Sequence, residues 1–286
     1  MSLMLKLSAI LISVSLFGAA AYAETPKDEA KLVKFLKDTI GRNPTILSLD
    51  VSVVNTVPME KPKGWTAYIV SIDGKVKMEG DVRNVTQQKI YFVSDGVIAQ
   101  QLIDLDSGRP LEDAISPEFS PEFYSKANLV YGNADAKHKV AIFSDPLCPF
   151  CRRYVPEALA YMRRQPETYA VYYYHFPLPT LHPAAVALTK AAIAAVHKGH
   201  KEVVADLYKV NIDSREADEQ KIVDAFNKTL GTQITVEEIH AEAVEEEFKR
   251  DQQIAMRMMV NGTPTVFFDG KKDASKQQYK NIKGSE

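Results

Sequence analysis

The chain has only two cysteines, and their spacing carries the most chemical information in the sequence. Cys148 and Cys151 enclose Pro149 and Phe150 in a C-x-x-C pattern, which is typical of a redox pair, a metal site or a structural disulfide. A disulfide closing so short a loop stabilises a fold by roughly 2 kcal/mol, against about 5 kcal/mol for a 100-residue loop. A metal site would need two further ligands, and the chain offers no third cysteine and six scattered histidines. Dithiol–disulfide chemistry is therefore favoured, with the structural disulfide and the metal site as alternatives.

The residues around the pair place it where a strand meets a helix. The pattern predicts an apolar strand over 139–144 and a helix over 149–164, and proline suits the first helical position. Cys148 then falls at the N-cap, where backbone N–H groups and the helix dipole favour a thiolate over a thiol. Cys151 lies one turn into the helix on the same face and is more shielded. The sequence therefore predicts Cys148 as the attacking sulfur and Cys151 as the resolving thiol.

Three charged residues near Cys148 have two possible roles each. Asp145 could relay protons to the second cysteine or close the turn between strand and helix, and the turn is favoured. Arg152 and Arg153 could stabilise the thiolate or serve as solvated surface charge, and both interpretations stay open. Phe150 has neither charge nor hydrogen-bond donor, so it cannot stabilise a thiolate.

Composition excludes several classes of protein. Of 286 residues, 45% are hydrophobic and 25% charged, which is typical of globular rather than disordered chains. The 35 Lys and Arg residues against 37 Asp and Glu residues give a net charge of −2, so no bulk positive charge points to nucleic acid. Two cysteines are too few for a disulfide-rich scaffold or a four-cysteine metal centre.

The first 23 residues are predicted to be a cleavable signal peptide. Lys6 precedes an apolar run over 7–21, and Ala21-Tyr22-Ala23 is a suitable cleavage site before Glu24. The alternative is a membrane anchor, but the apolar run is shorter than the roughly 20 residues that span a bilayer. We therefore expect a soluble exported protein in the periplasm, where disulfides persist.

Residues 24–106 are predicted to form a small α+β domain, followed by a linker over 107–126. A helix is expected over 26–40, with Gly41 as its C-cap, and hairpin turns at Asp73-Gly74 and Asp95-Gly96. The predicted strands cover 45–57, 66–72, 75–80, 89–93 and 97–103. Because one helix and a few strands make only a thin core, we expect this domain to pair with a second copy of itself.

From 127 to 286 the pattern alternates strands and helices, as in an α/β domain. Further strands are predicted over 170–176, 266–268 and 271–273, and helices over 181–198, 214–230 and 235–259. Thr235 and Glu238 form a predicted capping box, and Gly231 closes the preceding helix. The region from about 181 to 259 is a helical insertion. His175 and His182 are expected to have structural roles.

Two segments of this domain resemble a known family. The run Val140-Ala-Ile-Phe-Ser-Asp-Pro-Leu-Cys-Pro-Phe-Cys151 resembles the active-site strand and helix of thioredoxin-fold thiol:disulfide interchange proteins, most closely the DsbC/DsbG branch. Asn261-Gly262-Thr263-Pro264-Thr265 resembles the cis-proline loop of that family. The resemblance covers about 127–270, whereas 24–106 matches only in layout and the helical insertion is more similar to DsbA-type proteins.

The resemblance implies a thioredoxin-like domain with an inserted helical block, preceded by a smaller α+β dimerisation domain. Cys148 and Cys151 would be catalytic, supported by Asp145, Pro149, Phe150, Thr263 and Pro264, with Thr263 offering its backbone to a substrate strand. No metal or organic cofactor is implied. Expected partners are unfolded or misoxidised exported proteins and a membrane redox partner of DsbD or DsbB type. An isomerase or reductase is favoured, with a DsbA-type oxidase or a dimeric chaperone as alternatives.

Overall fold

A computed structural model describes residues 27–78, 81–200 and 202–282, so the predicted signal peptide at 1–23 lies outside the described residues. The described chain contains two sheets, one antiparallel with four strands and one mixed with five. None of its helices has the length and apolarity to cross a bilayer. This arrangement agrees with the predicted mixed α/β class.

The N-terminal unit is a helix packed on an antiparallel sheet. Helix α1 (Lys27–Ile40) buries Leu32 and Leu36 against the sheet. The sheet has the order β1-β2-β3-β4 and consists of β1 (Ile46–Pro58), β2 (Thr66–Met78), β3 (Asp81–Ser94) and β4 (Val97–Ala99). Asp95 and Gly96 both have positive φ in the two-residue turn between β3 and β4, which confirms that predicted hairpin.

The hairpin turn predicted at Asp73-Gly74 is wrong. Strand β2 continues through both residues, and its pairing with β3 extends to Met78 opposite Asp81. Gly74 instead pairs with Leu49 of β1, at a place where an added Cβ would lie 2.8 Å from the carbonyl oxygen of Ser48. The glycine is needed for close approach of two strands and not for a turn.

The predicted linker packs onto both units rather than standing free. It contains short 3-10 turns over Leu111–Ala114 and Pro121–Phe123, and a third turn over Lys126–Asn128 follows it. Ile115 is buried with the N-terminal sheet and Phe119 with the second sheet. This segment therefore links the cores of the two units through apolar contacts.

The C-terminal unit is built on a five-stranded sheet of order β5-β7-β6-β8-β9. Its strands are β5 (Leu129–Tyr131), β6 (His138–Ser144), β7 (Tyr169–His175), β8 (Thr265–Phe268) and β9 (Lys271–Lys272). Strands β6 and β7 are parallel and the other pairs antiparallel. Helix α2 (Pro149–Met162) covers one face of the sheet, and a helix near the end of the insertion contributes Ile254 and Ala255 to the core on the other face. Strand β5 carried no clear sequence signal, because three residues are too short to show a period.

The described residues of the helical insertion between β7 and β8 form five helices. They are α3 (Ala184–His197), α4 (Val203–Leu207), α5 (Glu219–Leu230), α6 (Val236–Ile239) and α7 (Glu242–Arg257). The capping box at Thr235 and Glu238 is confirmed. The single helix predicted over 235–259 is wrong, because the chain becomes extended at Ala241. The break allows Ile239 and Val244 to bury in one cluster with α3.

Candidate active site

Strand β6 and helix α2 position the two cysteines. Four residues connect the end of β6 to the start of α2. Cys148 is the last of them and forms the N-cap of α2 with an extended backbone, and Pro149 is the first helical residue. The N-cap position predicted for Cys148 is therefore confirmed. Both cysteines are free thiols, and 5% of Cys148 and none of Cys151 is exposed. The outer sulfur thus lies at the positive end of the helix and the inner one lies beneath it.

The proline loop lies directly against the outer cysteine. The peptide bond between Thr263 and Pro264 is cis, as the resemblance implied. The thiol of Cys148 donates to the carbonyl oxygen of Thr263 at 3.6 Å, although 115 residues separate them. Strand β8, which starts at Thr265 and pairs with β6, holds the loop at this place. The sheet thereby brings together two motifs that are distant in the sequence.

Asp145 organises the turn that presents Cys148. Its carboxylate is fully buried, and Oδ1 accepts hydrogen bonds from the backbone N–H groups of Leu147 and Cys148 at 2.7 and 3.1 Å. Oδ2 accepts from the N–H of Leu178 at 2.8 Å and lies 2.9 Å from Nδ1 of His182. This geometry supports the turn-closing role for Asp145 that the sequence favoured. His182, for which the sequence predicted a structural role, thus lies beside the carboxylate that organises this turn.

Arg152, Arg153 and Phe150 make their contacts away from the two sulfurs. Arg152 donates to the carbonyl oxygens of Pro146 and Val210, at 3.1 and 2.6 Å, and so ties the site to the helical insertion. The guanidinium of Arg153 lies 5.6 Å from the ring centre of Phe150. Phe150 is 63% exposed and presents an apolar surface beside the cysteines.

The inner cysteine is surrounded by apolar side chains and a few hydrogen-bond donors. Burial raises the pKa of the Cys151 thiol to about 12, and a charge on Cys148 acts in the same direction. The hydroxyls of Ser144 and Thr263 and the backbone of Asp145 shift this pKa in the opposite direction. Cys151 is therefore a protonated thiol at neutral pH, and its proton must leave before it can act as a nucleophile.

The described residues contain no group of three or more His, Cys, Asp or Glu side chains that could hold a metal ion. The six histidines of the chain do not gather near the cysteine pair, apart from His182 on Asp145. A metal site at the C-x-x-C pair would need ligands that the described geometry does not bring there.

Comparison with known proteins places the second unit in a family. A family model described as Thioredoxin matches residues 124–285. A thioredoxin-like oxidoreductase from Silicibacter pomeroyi DSS-3 is 21% identical and aligns over 56% of this chain and 91% of its own, with a TM-score of 0.44. Oxidised BdbD from Bacillus subtilis is 17% identical over 58% of this chain and 92% of its own, with a TM-score of 0.46.

ScsC from Proteus mirabilis, in a compact conformation, is 19% identical over 53% of this chain and 74% of its own, with a TM-score of 0.43. No curated protein sequence matches the chain significantly. The family model covers more than half of the chain and includes both cysteines and the cis-proline loop. The chain belongs to the thioredoxin family.

Proposed function

We propose that this protein is a thiol:disulfide oxidoreductase that acts through Cys148 and Cys151. The observation that carries the proposal is the contact of the Cys148 thiol with the carbonyl oxygen of Thr263 at 3.6 Å, at the start of helix α2. A sulfur in this position faces a helix N-terminus and a loop backbone that a substrate strand can reach. The deeper Cys151 is one turn away, as a resolving thiol requires.

The proposed reaction has two exchange steps. The thiolate of Cys148 attacks one sulfur of a substrate disulfide, whose bond breaks, and the other substrate sulfur leaves as a thiolate that takes up a proton. Cys151 then loses its proton and attacks Cys148, which releases the second substrate thiolate and forms the Cys148–Cys151 disulfide. The two electrons of the dithiol reduce the substrate disulfide. The reverse sequence oxidises a substrate dithiol.

The surface beside Cys148 is suited to extended, partly unfolded chains. Phe150 and Leu181 are each 63% exposed, and Leu181 belongs to the loop that Asp145 holds through Leu178. Exposed apolar side chains of this size are typical of contact surfaces for other proteins. We propose unfolded or misoxidised exported proteins as substrates, with the backbone of Thr263 pairing with the substrate strand.

Insulin reduction with dithiothreitol as the electron donor tests the proposal. Wild-type protein should accelerate the precipitation of the insulin B chain, and Cys148→Ser should abolish the acceleration because the attacking sulfur is gone. Cys151→Ser should keep the first step and accumulate mixed disulfides, which non-reducing gels separate. Equal acceleration by wild type and Cys148→Ser would contradict the proposal. If Cys148→Ser still suppressed the aggregation of unfolded proteins as well as wild type does, the result would instead support a chaperone.

We favour the isomerase or reductase direction over the oxidase direction. The resemblance of 140–151 to the DsbC/DsbG branch supports the first, and the five helices of the insertion support the second. An isomerase must be kept reduced by a membrane partner of DsbD type, whereas an oxidase is recharged by one of DsbB type. Alkylation of free thiols after acid quenching of cells measures the redox state of Cys148 and Cys151 directly. A mostly oxidised Cys148–Cys151 pair in cells would overturn the isomerase direction.

We propose that residues 1–23 direct export to the periplasm and that the unit over 24–106 forms a homodimer, joined to the catalytic unit through 107–126. Strand β4 pairs with only the last three residues of β3, and the exposed part of β3 carries Val82 and Val85. An uncovered strand of this kind is a template for pairing with another chain. Sedimentation of the mature protein at micromolar concentration should give the dimer mass, and a monomer mass would contradict the proposal.

A further inference from the structure

Three buried hydroxyl groups form a chain that ends at the inner cysteine. The hydroxyl of Tyr208 donates to Oγ of Ser144 at 2.7 Å, and the hydroxyl of Tyr173 lies 2.7 Å from that of Tyr208. The Ser144 hydroxyl lowers the pKa of the Cys151 thiol, and Cys151 packs in one buried cluster with both tyrosines. All four side chains are at most 6% exposed. The three hydroxyls come from the end of β6, the middle of β7 and the residue after α4, and Cys151 comes from α2.

The far end of this chain reaches a cavity. Tyr173 lines a cavity of about 270 Å³ together with His175 and Glu247, and its rim includes the exposed residues His200 and Glu202. Nδ1 of His175 is buried and has no hydrogen-bond partner among the described residues. A cavity of this size has room for several water molecules, and His175 and Glu247 supply polar groups in its lining. The hydroxyl chain thus runs from Cys151 towards a cavity whose rim includes exposed residues.

The other groups that contact the Cys151 sulfur cannot carry its proton away. The backbone N–H of Asp145 is a donor only, and the carboxylate of Asp145 already receives four other donors. The Thr263 hydroxyl is buried and has no hydrogen-bond partner among the described residues. Ser144 alone connects the sulfur to a further group that can both accept and donate.

We propose that Ser144, Tyr208 and Tyr173 relay the proton of Cys151 to and from this cavity during disulfide exchange. The inference rests on the proposed function, since it concerns the second exchange step. As Cys151 attacks Cys148, the thiol proton passes to Ser144, the Ser144 proton to Tyr208 and the Tyr208 proton to Tyr173, whose proton enters the cavity. Each hydroxyl ends the step with one proton, and the leaving substrate thiolate is protonated from solvent. Reduction of the disulfide returns the proton along the same path.

The surroundings keep the tyrosines neutral, as a relay of this kind requires. Burial raises the pKa of both Tyr173 and Tyr208 above the usual range, and charge on Cys151 adds to the effect. The charge of Asp145 also raises the pKa of Tyr173. The ring of His175 packs edge-on against the Tyr173 ring, with 4.9 Å between the centroids. The hydroxyls therefore exchange protons in a concerted way rather than by forming a stable tyrosinate.

Oxidation of the reduced protein by glutathione disulfide separates the two exchange steps. Acid quenching at successive times, followed by mass spectrometry, measures the glutathione adduct on Cys148 and its conversion to the Cys148–Cys151 disulfide. Ser144→Ala and Tyr208→Phe should form the adduct at the wild-type rate and resolve it about 100-fold more slowly at neutral pH. Tyr173→Phe should slow resolution less, because it removes only the last hydroxyl.

The pH profile distinguishes a relay from a packing effect. In Ser144→Ala and Tyr208→Phe the resolution rate should rise about tenfold for each pH unit, since hydroxide then takes the proton, whereas the wild-type rate should depend less on pH. Tyr174→Phe is the matched control: its hydroxyl is on the same strand but donates to the carbonyl oxygen of Phe123. This control should resolve the adduct at the wild-type rate.

The outcomes separate the relay from the proposed function. If wild-type protein forms no adduct and no disulfide, the proposed function is wrong. If wild type reacts, and both Ser144→Ala and Tyr208→Phe resolve the adduct as fast as wild type does, the relay is wrong. Equal slowing of both steps, or equal slowing in Tyr174→Phe, would also overturn it. Should Ser144→Ala fail to fold, Tyr208→Phe decides, because it retains the ring that fills the space.

Discussion

At the scale of single residues, Asp145 determines how the outer cysteine is presented. One carboxylate receives the backbone N–H groups of Leu147, Cys148 and Leu178 and lies beside His182. These bonds join the start of helix α2 to the loop after β7. Because the carboxylate is fully buried, its removal leaves these N–H groups without their acceptor and away from bulk water.

Replacement of this side chain should destabilise the protein and loosen the site. Asp145→Ala leaves three buried N–H groups without their acceptor and should lower the free energy of unfolding by about 3 kcal/mol. Urea unfolding at neutral pH measures the loss. Adduct formation at Cys148 should also slow, because its N-cap backbone is no longer held.

Asp213→Ala is the control for this substitution. Asp213 is exposed and its Oδ1 accepts from the N–H of Arg215 at 2.9 Å. Loss of an exposed bond of this kind should change stability by about 0.5 kcal/mol or less. Similar losses in the two variants would show that the buried bonds of Asp145 contribute no more than a surface turn.

At the scale of elements, the edge strand β5 depends on one glycine. Strand β5 pairs with β7 through Leu129 opposite Tyr172 and Tyr131 opposite Val171, with an irregular register between them. Gly132 follows with φ of +81°, and an added Cβ would lie 1.8 Å from the carbonyl oxygen of Tyr169. Both the backbone angle and the close approach require glycine here.

Gly132→Ala should therefore separate β5 from the sheet. The steric overlap is with backbone, so the strand must move, and we expect a loss of about 3 kcal/mol or more in the free energy of unfolding. Gly199→Ala is the matched control, since its φ is +85° and nothing lies within 4 Å of the added Cβ. It should cost only about 1 kcal/mol. Equal midpoints of urea unfolding for the two variants would contradict this account.

At the scale of the whole molecule, a buried carboxyl joins three elements of the C-terminal unit. Asp251 on α7 accepts from Nδ2 of Asn128 and from the backbone N–H of His175 on β7, both at 2.9 Å. Burial raises its pKa to about 7, although the two hydrogen bonds from His175 and Asn128 act in the opposite direction. Burial also lowers the pKa of His175 to about 3.

These two groups give the stability opposite dependences on pH. Between about pH 4 and 7 the folded protein holds a proton on Asp251 that the unfolded chain has released. The contribution of Asp251 therefore falls as pH rises through this window. His175 stays neutral when folded and takes up a proton when unfolded, so its contribution falls as pH drops from about 6.5 towards 3.

Comparison of Asp251→Asn with wild type isolates the carboxyl, because His175 titrates in both. The stability of the variant minus that of wild type should increase from pH 4 to 7 by about 1.4 kcal/mol for each pKa unit of the shift. It should then level off above pH 7. Urea unfolding at intervals between pH 4 and 8 provides the measurement. A difference that does not change with pH would show that Asp251 is ionised in the folded protein throughout.

Much of the candidate site could be predicted because its signals are local. Proline after Cys148 favours the first helical position, and the apolar run before it favours a buried strand, so the N-cap placement needed only neighbouring residues. The capping box at Thr235 depends in the same way on a residue three positions away. The cis bond before Pro264 had no such local signal, and only the resemblance to a family indicated it.

The sequence by itself determined the C-x-x-C pair, the strand–helix junction that holds it, and the general alternation of strands and helices in the second unit, because backbone preferences act over a few residues. Tertiary structure alone decided which distant groups meet around the cysteines, such as Thr263 at Cys148 and Tyr208 at Ser144. It also decided that β2 continues through Gly74, since pairing along two neighbouring strands outweighs a local turn preference. Contacts between remote residues follow from how helices and sheets pack around shared cores, which no short stretch of sequence encodes.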